Sequence, residues 1–157
     1  MSSSFKIPSP DTEKAVVLSY PQGWRQIKLK DLVAFRRGSF PQPYGLAKWY
    51  DDEKWYPFVQ VYDVDDNLKL KTSTKRKISN EAAKQSVFAK KGTILVTLQG
   101  SIGRVAITQY DTYVDRTVLL FGNFLVPSDS IFFAYTIQQL FAYERTRAPG
   151  GTIKTIT

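Results

Sequence analysis

The sequence contains neither cysteine nor histidine among its 157 residues. Without cysteine there are no disulfides, no thiolate nucleophile and no Cys-ligated zinc. Without histidine there is no Ser-His-Asp triad and no His-ligated metal. Long apolar runs are missing as well. The longest, such as Val118–Phe121 and Ile131–Tyr135, fall far short of the roughly 20 residues that span a bilayer. Residues 1–14 (MSSSFKIPSPDTEK) hold no apolar stretch that would make a secretory signal, and read as a loose Ser/Pro-rich leader. These absences describe a soluble, cytoplasmic chain with no membrane partner. Internal repeats, heptads and a Gly-rich phosphate loop followed by Lys-Ser/Thr are absent too.

What is present is apolar and aromatic: 43% hydrophobic residues, 14% aromatic, with nine Tyr and ten Phe. A chain of this length and composition folds as one domain around a real core. Acidic residues are few, 14 against 22 Lys+Arg, for a net charge of +8. Such a basic surface points to a polyanion, most commonly nucleic acid. The excess is local. Residues 67–104 carry nine basic residues and one acid, Glu81, whereas Asp63, Asp65 and Asp66 make the preceding ten residues acidic. Lys69-Leu70-Lys71 and Lys75-Arg76-Lys77 form the centre of the basic stretch. It is either a phosphate-binding patch or a solvated Lys-rich edge that blocks strand aggregation.

Apolar spacing predicts a short strand over Trp24, Ile27 and Leu29, leading into a turn of helix near Asp31-Leu32. Val33–Gly38 fits a strand or a helix end equally. Two prolines mark Ser39–Gly45 as loop, continued by the aromatic, charged stretch Lys48–Trp55. Pro57–Val64 reads as a strand with Phe58, Gln60 and Tyr62 on one face, turned by Asp65-Asp66-Asn67, with a short strand at Leu68–Lys71. Ser79 is a helix N-cap with Glu81 in the first turn, in an element ended by Phe88–Gly92. Thr93–Leu98 and Arg104–Thr108 make a hairpin around Gln99–Gly103, placed at the centre of the sheet. Thr117–Phe121 is a further strand. Phe133, Ile137, Leu140 and Phe141 recur at helical spacing, so a helix over 129–145 is capped by Ser128 or Ser130 and buries these four side chains. Pro149-Gly150-Gly151 ends it, and Thr152–Thr157 is extended. The fold class is α+β: a twisted, mainly antiparallel sheet with one long C-terminal helix.

Catalytic constellations are nearly absent. Asp52-Glu53-Lys54 supplies an Asp-x-Lys, and Asp63 or Asp31 a further acid, the residue types of a magnesium-dependent nuclease. A solvated loop cluster accounts for Asp52 more simply. Asp63, Asp65 and Asp66 are explained by a turn. The chain reads as a binder, not an enzyme, with no metal and no cofactor of its own.

Several segments, read in order, resemble one family. They are Gly23-Trp24 with Ile27-x-Leu29-x-Asp31-Leu32; Arg37-Gly38-Ser39-x-Pro41; Tyr56-Pro57-Phe58-Val59-x-Val61 with Asp63; Ile78-Ser79; and Lys91–Thr97 with Gly100-Ser101-Ile102-Gly103-Arg104-x-Ala106-Ile107. Gly150–Lys154 resembles the return strand after the helix. The series is similar to a target recognition domain of the specificity subunit of type I restriction-modification systems, over about residues 20–157. The resemblance implies a non-catalytic reader of double-stranded DNA. It implies partner methyltransferase (modification) and restriction subunits, which would carry S-adenosylmethionine, ATP and magnesium. It implies two such domains separated by long helices in a whole subunit. Here one is visible, 20–157, after a leader over 1–19 and truncated before the spacer helix, so docking to the methyltransferase is expected to be weak. Gly92, Gly100, Gly103, Trp24 and Phe58 are expected to be scaffold.

Base edges call for forked donors and phosphates for cations. The candidate base readers are Arg36, Arg37, Gln42, Lys48, Gln60 and Gln99. The candidate phosphate contacts are Lys69, Lys71, Lys75, Arg76 and Lys77. Tyr44, Trp49, Tyr50 and Trp55 either pack on sugar and thymine methyls or form the long loop's own small core. A nuclease using Asp52, Lys54 and Asp63, and a basic module for an acidic protein partner, are the competing readings.

Overall fold

The computed structural model describes residues 21–147. The leader and the extended piece after the helix, with its return strand, lie outside the described residues. In chain order the elements are α1 (Leu29–Leu32), β1 (Val33–Arg37), β2 (Tyr56–Val59), β3 (Arg76–Ile78), α2 (Asn80–Ala83), β4 (Val87–Ala89), β5 (Ile94–Thr97), β6 (Val105–Ile107), β7 (Thr112–Val114), β8 (Val118–Phe124) and α3 (Ser130–Arg147). The strands form two four-stranded sheets, ordered β1-β8-β5-β6 and β3-β2-β7-β4. All pairings are antiparallel except β2 with β7, which run parallel.

Side-chain alternation along the strands explains how these sheets stack. In β5, Ile94 and Val96 join α3 residues Phe133, Ile137 and Phe141 in one cluster. Leu95, between them, points the other way and meets Val59, Val87 and Val114 of the second sheet. In β2 the switch is the same: Val59 faces the first sheet, and its neighbour Phe58 faces Phe40 and Trp49 of the long loop, with Ala82 and Ala83 of α2. The order of layers is therefore α3, first sheet, second sheet, and an outer cover of loop and α2. Both faces of β5 are covered, which is why it reads as an unbroken apolar run. Each fully buried Val, Leu, Ile or Phe contributes roughly 1.5–3 kcal/mol.

Several expectations are corrected. No strand covers residues 24–28, and Trp24 is exposed rather than part of the scaffold core. The ambiguous Val33–Gly38 segment is a strand, β1. β2 stops at Val59 because the Gln60 N–H turns to the Asp63 carboxylate (2.9 Å) and a 3-10 turn over Val61–Asp63 follows. Leu68–Lys71 is not a strand: Leu68 has φ of +59°, which ends any extended run, and only Leu70 bridges to Val64. Its other partner is a side chain, the Gln109 amide, which bonds both Leu70 N–H (2.9 Å) and Leu70 C=O (2.8 Å). Ser79 does cap α2, accepting the Ala82 N–H at 3.3 Å. That helix ends at Ala83, and Val87–Ala89 is a strand instead of its tail. The hairpin forms, with β5 inside the sheet and β6 at its edge rather than at the centre. β7 is a strand that apolar patterning did not mark. The cap of α3 is Asp129, whose Oδ1 accepts the Phe132 N–H at 2.8 Å. Leu140 is 39% exposed, because the buried stripe runs along Phe133, Ala134, Ile137 and Phe141. No helix among the described residues is long and apolar enough to cross a membrane.

Candidate nucleic-acid interface

Gly38 carries the chain from one sheet to the other. Its N–H bonds Val118 C=O (2.9 Å) and the next N–H, of Ser39, bonds Val114 C=O (3.0 Å). A Cβ on Gly38 would lie 2.3 Å from the carbonyl oxygens of Val114 and Asp115, so no side chain fits there. Beyond this crossing the loop runs over the second sheet. Phe40 and Trp49 are buried in it, and the Trp49 indole donates to Pro43 C=O at 3.0 Å. For Trp49 the small-core alternative therefore holds. Tyr50 stacks on Phe40, and Tyr44 meets the same ring edge-on. Both hydroxyl-bearing rims stay near the surface.

A second loop, residues 64–75, is closed at its base by Asp63. This fully buried carboxylate accepts the N–H of Gln60 (Oδ2, 2.9 Å) and of Lys75 (Oδ1, 2.9 Å). Burial pushes its pKa up, against the pull of those two N–H groups. The effect is to set Lys75 and Gln60 side by side.

Three tyrosines and three cations meet around Gln60. Lys75 Nζ lies 4.8 Å over the Tyr62 ring, the Arg76 guanidinium 3.9 Å over Tyr50, and the Arg116 guanidinium 5.3 Å over Tyr44. Such stacking orients a cation without neutralising it. The Tyr62 hydroxyl donates to Gln60 Oε1, and Gln60 Nε2 donates to the Tyr44 hydroxyl at 3.0 Å. Beneath lies Asp115, 2% exposed; its Oδ2 accepts the Thr117 hydroxyl at 2.6 Å, and its Oδ1 is buried without a hydrogen-bond partner. Burial first, and the Asp115 charge second, push the Tyr44 pKa up to about 12. Burial likewise raises Tyr50, opposed by Arg76 and helped by Asp115, and raises Tyr62, helped by Asp63.

Gln60, Lys75 and Arg76, chosen from sequence, are thus brought together. Arg37 and Gln99 reach the same end of the first sheet through the backbone. Arg37 pairs with Leu119, and Leu98 N–H bonds Thr117 C=O, so both flank the segment that holds Arg116. Arg36 lines an open groove with Ser39, Lys84 and Phe88 on the edge of β1. Gln42 Oε1 accepts the Tyr44 N–H (3.2 Å). Lys48 sits 3.8 Å from Glu81 and over Trp49. Lys69 and Lys71 are exposed on the second loop, and Lys77 lies in β3 opposite Pro57. Trp55 leans on Tyr56. Tyr62, Arg116 and Asp115 were not among the candidates. Tyr62 lies two residues from Gln60, on the face the sequence had already assigned to both; only the tertiary fold brings Arg116 and Asp115 to Gln60 and Tyr44, and their one local signal is a charged pair between β7 and β8.

The nuclease constellation does not assemble. Asp52 Oδ1 is taken by Arg76 Nε (2.9 Å) and the Lys77 N–H (2.9 Å), and these hold its pKa down although partial burial opposes them. Both oxygens of Asp63 face backbone N–H groups. Among the described residues no three His, Cys, Asp or Glu side chains are grouped to hold a metal.

A basic, aromatic surface thus lies on a two-sheet frame. Residues 21–156 match the family model of the type I restriction modification DNA specificity domain, and the chain belongs to that family. Its fold is similar to a chain from a study of complex assembly and conformational transition of the type I R-M system (TM-score 0.65, 18% identity, 96% of this chain and 33% of that one). It is also similar to the HsdS subunit from Thermoanaerobacter tengcongensis (TM-score 0.60, 18% identity, 87% and 31%). A third likeness is to the type I restriction-modification S subunit from M. genitalium (TM-score 0.56, 18% identity, 82% and 29%). The chain spans about a third of the length of these structures.

Proposed function

We propose that residues 20–157 form one target recognition domain, which binds double-stranded DNA and reads its sequence for a type I restriction-modification complex. It performs no chemistry itself. It directs partner methyltransferase and restriction subunits in the cytoplasm, and S-adenosylmethionine, ATP and magnesium belong to those partners. The observation that carries this reading is the ring of Lys75, Arg76 and Arg116, each stacked on a tyrosine, around the polar side chain of Gln60. Cations held at the rim grip phosphates, and the amide between them faces the base edges.

The test is a salt titration with the full chain and duplex DNA. Replacing Lys75, Arg76 and Lys77 together by Ala should make the slope of log K against log salt shallower by about 1.8–2.7, for two to three released counterions. Affinity should fall alike for every sequence, because phosphates carry no sequence information. An unchanged slope would reduce the cluster to a solvated edge. No binding even at low salt would favour a module for an acidic protein instead.

A further inference from the structure

We propose that Gln60 reads an adenine in the major groove, its amide held in one orientation by Tyr62 and Tyr44; this rests on the DNA-reading assignment above. A glutamine amide has two N–H donors and two acceptor lone pairs. Here Oε1 already accepts from the Tyr62 hydroxyl, and one N–H of Nε2 is given to the Tyr44 hydroxyl. One acceptor site and one donor remain. On this proposal the two remaining positions form the outer edge of the half-buried side chain, side by side.

An adjacent acceptor and donor match one base. Adenine offers N7 as acceptor and N6–H as donor, the pair that Gln or Asn binds with two hydrogen bonds. Guanine presents two acceptors, N7 and O6, and would set O6 against Oε1. The neighbours of Tyr44 fix which way round the amide lies. Tyr44 shares a side-chain hydrogen bond with Tyr50, so its O–H has a partner there and a lone pair is left for the Nε2 donor. The backbone of Gln60 is equally fixed, its N–H bonded to Asp63. A polar side chain positioned at both ends loses little entropy on binding.

The experiment selects bound sequences from a pool of random duplexes at low salt, for the full wild-type chain and for Gln60→Ala, Tyr62→Phe and Lys75→Ala. Wild type should require adenine at one position by roughly tenfold or more. Gln60→Ala should lose that requirement, keep the preferences elsewhere and keep the salt slope. Tyr62→Phe keeps the ring but frees Oε1, and should weaken the requirement at the same position. Lys75→Ala should keep it at lower affinity. 7-Deaza-adenine, which lacks the N7 acceptor, should cost wild type about as much as Gln60→Ala and cost Gln60→Ala itself nothing. Retention of the adenine requirement by Gln60→Ala would overturn the assignment, as would a requirement for another base that depends on Gln60. A wild-type chain that binds DNA with no base preference would overturn the sequence-reading function along with it.

Discussion

Tyr44 carries the electrostatics of the patch in a single titration. Its pKa is raised from 10.0 to about 12 by burial and by Asp115. Between those values the native chain keeps a proton that the unfolded chain releases, so stability present below pH 10 should be lost as pH rises toward 12. Tyr110 is raised to about 12 as well, by burial and Asp63, so the two can be separated. In a Tyr110→Phe background, Asp115→Asn should move the last phenolate absorbance step to lower pH. An unchanged step would mean that burial alone sets it. Asp63 is the second decisive residue. Asp63→Asn leaves one acceptor for two part-buried N–H groups, a loss of about 1–3 kcal/mol measurable by urea unfolding.

At the scale of elements, α3 and the β5–β6 hairpin separate what was legible from what was not. The helix and the hairpin follow from periods written in the sequence, 3.6 and 2. Which side of the helix is buried at its margin does not, because that depends on where the sheet's edge falls. Phe141→Ala should therefore cost about 3–5 kcal/mol, and Leu140→Ala no more than about 0.5 kcal/mol, both read from urea midpoints. Gly103, at φ +88° and with its added Cβ 3.2 Å from Phe141 Cβ, ties the hairpin turn to the helix. Gly103→Ala should cost about 1–2 kcal/mol from backbone strain alone. The short elements were illegible for a different reason. β2 ends where Asp63 takes the Gln60 N–H, and Leu70 pairs with a distant Gln109 side chain. The first contact is local, three residues apart, and only the second, 39 residues apart, lies beyond any local pattern.

For the molecule as a whole, charge is organised more sharply than composition reveals. The excess of cations between residues 67 and 104 was visible, and so was Gln60 as a candidate. Their arrangement was not, since Tyr44, Arg116 and the Gln60–Tyr62 turn come from separate parts of the chain. Nor was the partial neutralisation of Arg76 by Asp52. That ion pair makes a prediction of its own. Asp52→Asn frees Arg76, so random DNA should bind more tightly and the salt dependence should steepen by up to about 0.9 in slope. If Asp52→Asn leaves the slope unchanged, Arg76 does not meet phosphate.

The outer layer has a consequence for retargeting such a domain in the laboratory. Phe40 and Trp49 of the long loop are buried against Phe58 and Ile78 and against Ala82 and Ala83 of α2, apart from the cluster around α3. A loop transplanted alone would arrive without its counterpart surface. A graft that begins after Gly38 and carries the loop with β2, β3 and α2 brings that counterpart surface with it, and needs from the recipient a β7 strand to pair with β2 and an apolar face for Val59.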